Sequence, residues 1–172
     1  MKRHHVVTAV GVLLFGLGLA APMAAIGGPC IAAKGKIFNN ALIDGTTLGT
    51  VHLTFGNEKL KCGLRGIKKD GTGQLNFDHT MVCDDDAGSD DPVHSQLLWD
   101  TTGYFTSDPE SCNNPYAPDL VSFSFTEVST PVIGTGRFAN VTRGQITVDG
   151  TFFCTLAIDM EFSGQLCFDD DD

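Results

Sequence analysis

Hydrophobic and polar residues alternate along the chain from Ile31 to Phe168, and glycine-centred breaks interrupt the pattern. Residues 51–55 and 121–126 show it most plainly, because valine, leucine or phenylalanine alternates with serine, threonine or histidine. A period of two is typical of β-strands with one buried and one solvated face, and no segment shows a helical period. The pattern predicts eight strands, roughly at residues 31–39, 47–56, 59–67, 73–83, 93–105, 120–130, 143–149 and 152–168, the last of which divides near Gly164 in one version of the prediction.

The longest alternating stretch lies at the C-terminal end, where ten hydrophobic residues between Ile146 and Phe168 all have even numbers. A two-residue turn at 149–150 would place Phe152, Cys154 and Leu156 on the outer face. We therefore expect either a three-residue loop at 149–151 with Gly150 left-handed, or one long strand that bends at Gly150. Long one-sided strands favour an all-β fold, an antiparallel barrel of about eight strands, with a β-sandwich as the alternative.

The first residues have the pattern of a secretory signal peptide. Lys2 and Arg3 precede an uncharged stretch, Val6 to Ala21, which is followed by small residues. We expect a signal peptide over residues 1–25, with cleavage somewhere between 20 and 27. A retained membrane anchor is less favoured because glycines and a proline interrupt the apolar stretch.

The remainder of the chain shows no repeat and no linker, so a single β-barrel domain is expected over residues 26–168, with an acidic tail at 169–172. The mature protein is expected to be exported, either periplasmic or extracellular, and not to span a membrane. An outer-membrane barrel is disfavoured by the cysteines and by the absence of an aromatic girdle. Acidic residues outnumber lysine plus arginine 21 to 11, which argues against a nucleic-acid partner. The oligomeric state is left open.

Six cysteines follow the leader, an even number that predicts up to three disulfides in an oxidising compartment: Cys30, Cys62, Cys83, Cys112, Cys154 and Cys167. The alternation turns Cys62, Cys83 and Cys154 inward. Cys62 and Cys83 lie on neighbouring predicted strands with the same facing and form the favoured pair. Opposite parity disfavours a bridge between Cys154 and Cys167. A free buried cysteine is the alternative at position 154.

An acidic loop at residues 84–91 holds five aspartates in eight residues. Asp84, Asp86 and Asp90 have the spacing of the first, third and seventh positions of a calcium loop, but Ser95 stands where the twelfth-position glutamate belongs. A solvated loop is therefore favoured over a calcium site. We expect no cofactor, with Ca²⁺ as the alternative.

Two ionisable residues are candidates for catalysis. His79 shares its parity with inward apolar residues, and a hydrogen-bonded core histidine is the favoured interpretation over a catalytic or ligand-orienting one. Glu127 shares its parity with Val121, Phe123 and Phe125, at the end of a predicted strand. A rim carboxylate is favoured there, whereas a buried one would have a raised pKa and could act as an acid or base.

One stretch resembles a known signature: residues 134–148 read GTGRFANVTRGQITV, with Gly134, Gly136, Phe138 and Gly144 at its key positions. It is similar to the allene oxide cyclase and dirigent barrel families. In these a Gly-x-Gly-x-Phe turn and short helical kink precede a glycine-initiated final strand of an eight-stranded, calycin-type antiparallel barrel. The resemblance implies an apolar lumen that holds a hydrophobic small molecule, with cyclisation or stereochemical control in some members. No catalytic residue of these families matches position by position.

Three functions follow as hypotheses. The first is an exported, disulfide-braced, non-enzymatic barrel that binds a small apolar ligand or a partner, favoured because the sequence lacks a catalytic motif. The second is a cofactor-free cyclase or isomerase of the allene oxide cyclase type. The third is a calcium-assisted surface or adhesion module. Five residues are expected in the lumen, Phe55, Phe77, Phe123, Phe125 and Phe152, and both ligand hypotheses require that they leave room for a ligand.

Overall fold

The strands that the alternating pattern predicts form a closed barrel. A computed structural model describes residues 28–69, 75–84 and 94–169, which form nine strands and one short 3₁₀ helix. The strands are β1 (Cys30–Ala41), β2 (Thr46–Phe55), β3 (Glu58–Lys68), β4 (Leu75–Asp84), β5 (His94–Phe105), β6 (Glu110–Ser111), β7 (Val121–Thr135), β8 (Val141–Phe152) and β9 (Ala157–Phe168). The helix, Gly136–Phe138, connects β7 to β8.

Eight of these strands form a closed antiparallel ring. Strands that follow one another in the chain pair with each other, β5 pairs with β7, and β1 pairs with β9 to complete the ring. The two-residue β6 lies beside the start of β7. The predicted all-β antiparallel barrel is confirmed, and the sandwich alternative is wrong because the continuous ring leaves no separate second sheet.

The turn expected near Gly150 is wrong in both of its versions. Strand β8 continues through Gly150 to Phe152, and the hairpin turn lies at residues 153–156, where Leu156 has a φ of 66°. Phe152 pairs with Ile158, so the even-numbered residues of both strands still face inward. Strand β9 likewise runs unbroken through Gly164.

One end of the barrel, here called the closed end, is filled by aromatic side chains. Phe138 is fully buried, with its ring centroid 5.6 Å from that of Phe55, and Phe55 in turn lies 6.1 Å from Phe168. Gly136 allows the tight turn because its φ is +59°, a conformation that side chains rarely adopt. The backbone N–H of Arg137 donates to Ser95 Oγ at 2.7 Å and holds the turn against β5.

Three disulfides brace the ring. Cys30–Cys167 joins β1 to β9 at the closed end, and the predicted Cys62–Cys83 bridge between β3 and β4 is confirmed. Cys112–Cys154 joins the connection between β6 and β7 to the 153–156 turn. The inward facing predicted for Cys154 is wrong, because this residue lies exposed in the turn and not in a strand. Disulfides of this number are typical of an oxidising, exported environment.

Candidate functional site

The lumen contains two chambers that meet at His79, Glu127 and Met160. The inner chamber has a cavity volume of about 40 Å³, which is room for a few water molecules. It lies in the middle of the barrel, and its walls also include Ile37, Val51, Leu64, Trp99, Ser129, Ile146, Val148 and Phe162.

The second chamber, here called the mouth chamber, has a cavity volume of about 210 Å³. It lies at the end of the barrel opposite Phe138, where Gly45 and the exposed Lys68 border it. The remaining walls are Asn39, Ala41, Thr47, Leu75, Phe77, Phe123, Phe125, Phe152 and Ile158. A small organic molecule therefore has an apolar space to occupy and an end from which to enter.

Four of the five phenylalanines expected in the lumen, Phe77, Phe123, Phe125 and Phe152, line the mouth chamber without filling it. Phe123 and Phe152 are paired on neighbouring strands, and their rings stack on each other along the wall with centroids 5.1 Å apart. Phe55 lines neither chamber, because it packs at the closed end against Phe138.

His79 belongs to a chain of polar side chains that runs along the lumen wall over three neighbouring strands. Its Nδ1 lies 3.0 Å from Thr101 Oγ1, which in turn lies 2.8 Å from Ser129 Oγ. The ring stacks on Phe77, and the exposed part of it faces the chambers. Burial lowers the pKa of His79 to about 4, so the imidazole is neutral at physiological pH. The structure thus places His79 as a hydrogen-bonded lumen residue.

Glu127 lies in the middle of β7, and not on the rim as the sequence favoured. Its side chain is 5% exposed and borders both chambers. No hydrogen bond or ion pair joins it to any other residue in the described part of the chain. Burial raises its pKa to about 7 from an ordinary value of 4.5. This carboxyl group can therefore exchange a proton or accept a cation near neutral pH.

Two glycines make room for these polar side chains. A Cβ atom at Gly103 would lie 2.6 Å from Cγ of Glu127, and one at Gly66 would lie 2.7 Å from Nε2 of His79. Contacts this short do not occur, so the side chains occupy the space because the glycines carry none.

Sequence reasoning missed three residues of the site, Trp99, Thr101 and Ser129. All three are buried in the barrel, and Trp99 is the only tryptophan of the chain. The alternation in β5 was the signal that could have found two of them, because Trp99 and Thr101 share the odd parity of the buried Leu97.

The structure describes only the first of the three predicted calcium ligands, Asp84. Asp86 and Asp90 lie outside the described residues. Asp84 ends β4, where its exposed carboxylate lies 3.3 Å from Nδ1 of His94. Among the residues that the structure describes, none forms a helix with the length and hydrophobicity of a membrane span.

No protein-family model, curated protein or solved structure matches the chain. Its function therefore has to be inferred from the residues of the lumen.

Replacing Glu127 with glutamine is expected to change how stability depends on pH. A pKa raised by burial means that ionisation opposes folding, so the wild-type carboxyl costs about 3 kcal/mol at pH 8 and almost nothing at pH 4. The stability of Glu127→Gln relative to wild type should thus rise by about 3 kcal/mol from pH 4 to pH 8. His79, whose pKa is lowered, destabilises both proteins alike as the pH falls below about 6.5.

Urea unfolding of both proteins at the two pH values measures this difference. The exposed Glu110→Gln substitution is the control and should show no such change. An equal stability difference between wild type and Glu127→Gln at pH 4 and pH 8 would contradict the expectation.

Proposed function

We propose that this protein is an exported barrel that binds a small apolar ligand in its lumen and performs no chemistry on it. The observation that carries the proposal is the mouth chamber, which is walled by four phenylalanine rings and has a volume of about 210 Å³. A core built only for stability is packed to nearly crystalline density and does not leave a chamber of this size. The aromatic and aliphatic walls favour an apolar molecule by the hydrophobic effect.

Export is part of the proposal. The basic residues and the apolar stretch within residues 1–25 support a signal peptide. The three disulfides support a periplasmic or extracellular location. We also propose kinship with the allene oxide cyclase and dirigent barrels. The short helical turn at Gly136–Phe138 in an eight-stranded antiparallel barrel supports it.

Binding of the apolar fluorophore N-phenyl-1-naphthylamine tests the proposal. Trp99 borders the inner chamber, so a probe in the lumen should accept its excitation energy. Ala41→Phe should weaken binding at least tenfold because Ala41 lines the mouth chamber. The adjacent Asn40→Phe, which faces solvent, is the matched control and should bind as wild type does.

Absence of energy transfer, or equal binding by the two phenylalanine variants, would contradict the proposal. Native mass spectrometry of protein from its own export compartment should, in addition, detect a co-purifying apolar molecule.

A second candidate, a cofactor-free isomerase or cyclase, is favoured by Glu127. A buried carboxyl with a pKa of about 7 can remove and return a proton at neutral pH. The ligand recovered from wild-type protein and from Glu127→Gln distinguishes the two functions. An isomerase should yield different isomers from the two proteins, whereas a binding protein should yield the same molecule from both.

A further inference from the structure

The carboxyl group of Glu127 is the ionisable group of the lumen that has no partner among the described residues. It is 5% exposed and borders both chambers, yet it has no hydrogen bond and no ion pair there. Buried polar groups are normally satisfied, and each exception asks for an explanation. A group that is missing its partner and faces a cavity is explained if a ligand supplies that partner.

The surroundings of Glu127 contain no fixed cation that could neutralise it. The residues that pair with it on the neighbouring strands are Gly103 and Val148. His79, the nearby titratable group that borders both chambers, is neutral above pH 5 because burial lowers its pKa to about 4. Lys68 borders the mouth chamber, but its side chain is exposed at the end of β3. Its charge is therefore hydrated and screened.

The aromatic walls favour a positive charge as well as apolar atoms. Phe77, Phe123, Phe125 and Phe152 line the same mouth chamber that Glu127 borders. The faces of aromatic rings attract cations, and this attraction increases when the cation is removed from water. Four rings and one unpaired carboxyl group together form the chemistry that recognises an organic cation.

We propose that the ligand of the lumen is an amine carried on a small apolar skeleton, whose ammonium group binds the carboxylate of Glu127 while its skeleton lies among the phenylalanine rings. This inference rests on the proposed binding function and adds the chemical class of the ligand. A carboxylic acid would meet a like charge at Glu127. An alcohol would form a weaker hydrogen bond with Glu127, in which only the acceptor is charged. Thr101 and Ser129 offer the alcohol little more, because their hydroxyl groups already bond to each other.

Three probes that share one ring test the class of ligand: cyclohexylmethylamine, cyclohexylmethanol and cyclohexanecarboxylate. Calorimetric titration gives each dissociation constant, and weaker binding to Ala41→Phe but not to Asn40→Phe reports that the probe is in the lumen. At pH 8 the amine should bind about ten- to hundredfold more tightly than the alcohol, as expected for a charge-assisted hydrogen bond. The acid should bind most weakly.

Glu127→Gln keeps the shape of the side chain and removes its charge. It should reduce the preference for the amine over the alcohol by about tenfold or more, because the amine loses its ion pair whereas the alcohol keeps a neutral hydrogen bond to the amide. The wild-type preference should also decline as the pH falls from 8 to 5, because Glu127 becomes protonated. Glu110→Gln, on the exposed β6, should change neither.

The outcomes separate this inference from the function on which it rests. If the alcohol binds in the lumen and the amine binds no better, or if Glu127→Gln keeps the preference, the ligand class is wrong and the binding function stands. If the acid binds most tightly, the class is likewise wrong. If none of the three probes and no N-phenyl-1-naphthylamine enters the lumen, the binding function itself is wrong.

Discussion

Replacing Phe138 with alanine is expected to destabilise the protein by about 3–5 kcal/mol, which is the usual cost of deleting a buried aromatic ring. Phe138 is fully buried at the closed end and packs against Phe55. The turn that carries it is held close to β7, because a Cβ atom at Gly134 would lie 2.0 Å from the carbonyl oxygen of Phe138. Its neighbours therefore have little freedom to move into the space that the ring leaves. Urea unfolding measured by the fluorescence of Trp99 gives the change.

The matched control for this substitution is Phe38→Ala on the outer face of β1. Phe38 is 44% exposed, so its loss should cost about 1 kcal/mol or less. Equal losses for the two variants would show that Phe138 does not support the closed end. In the Phe138→Ala protein we also expect weaker retention of N-phenyl-1-naphthylamine, because the lumen then opens at both ends.

Loss of the disulfide between Cys30 and Cys167 should have an effect of similar size, about 4–5 kcal/mol in the double alanine variant. The two cysteines are 137 residues apart, so the bridge removes much of the conformational entropy of the unfolded chain. It also crosses the contact between β1 and β9, the one pairing in the described ring that joins strands distant in the chain. Thermal and urea unfolding under oxidising conditions measure the loss.

The double alanine variant of Cys62 and Cys83 is the control for the effect of loop length. This bridge spans only 21 residues and is expected to contribute about 3 kcal/mol. Both variants remove two sulfur atoms and leave two disulfides. Cys62 and Cys83 are both buried whereas Cys30 is exposed, so lost packing acts against the expected order and a larger loss for the Cys30 and Cys167 variant reflects the longer loop. A larger loss for the Cys62 and Cys83 variant would contradict the expectation.

The alternation of the sequence was sufficient to predict the barrel and the facing of most of its residues, because each strand has one buried and one solvated face. It was also sufficient for the Cys62–Cys83 bridge, since the two strands are neighbours and both residues face inward. It misplaced the last hairpin. Parity is preserved by any turn that pairs two even-numbered residues, and Phe152 with Ile158 satisfies this as well as a bend at Gly150 would.

The burial of Glu127 could not be predicted from the alternation, because it depends on how far the strand continues beyond this residue. The predicted strand ended near residue 130, whereas β7 continues to Thr135 through an irregularity between Pro131 and Ile133, where its register with β5 shifts. Five further residues move Glu127 from a predicted strand end to the middle of the wall. The pairing of Cys112 with Cys154 could not be predicted from the sequence either, because it joins two irregular segments that are brought together only by the folded barrel.

The pairing of β1 with β9 has a consequence for how the protein is made. When the N-terminal part of the chain enters an oxidising compartment first, the thiol of Cys30 is exposed while the 136 residues before Cys167 are still to arrive. The correct partner of Cys30 is therefore the last of the six cysteines to appear. In that interval Cys62, Cys83, Cys112 and Cys154 are all available for incorrect exchange with it. Closure of the ring must therefore follow delivery of the whole chain, and efficient production depends on a compartment that can reshuffle early mispaired bridges.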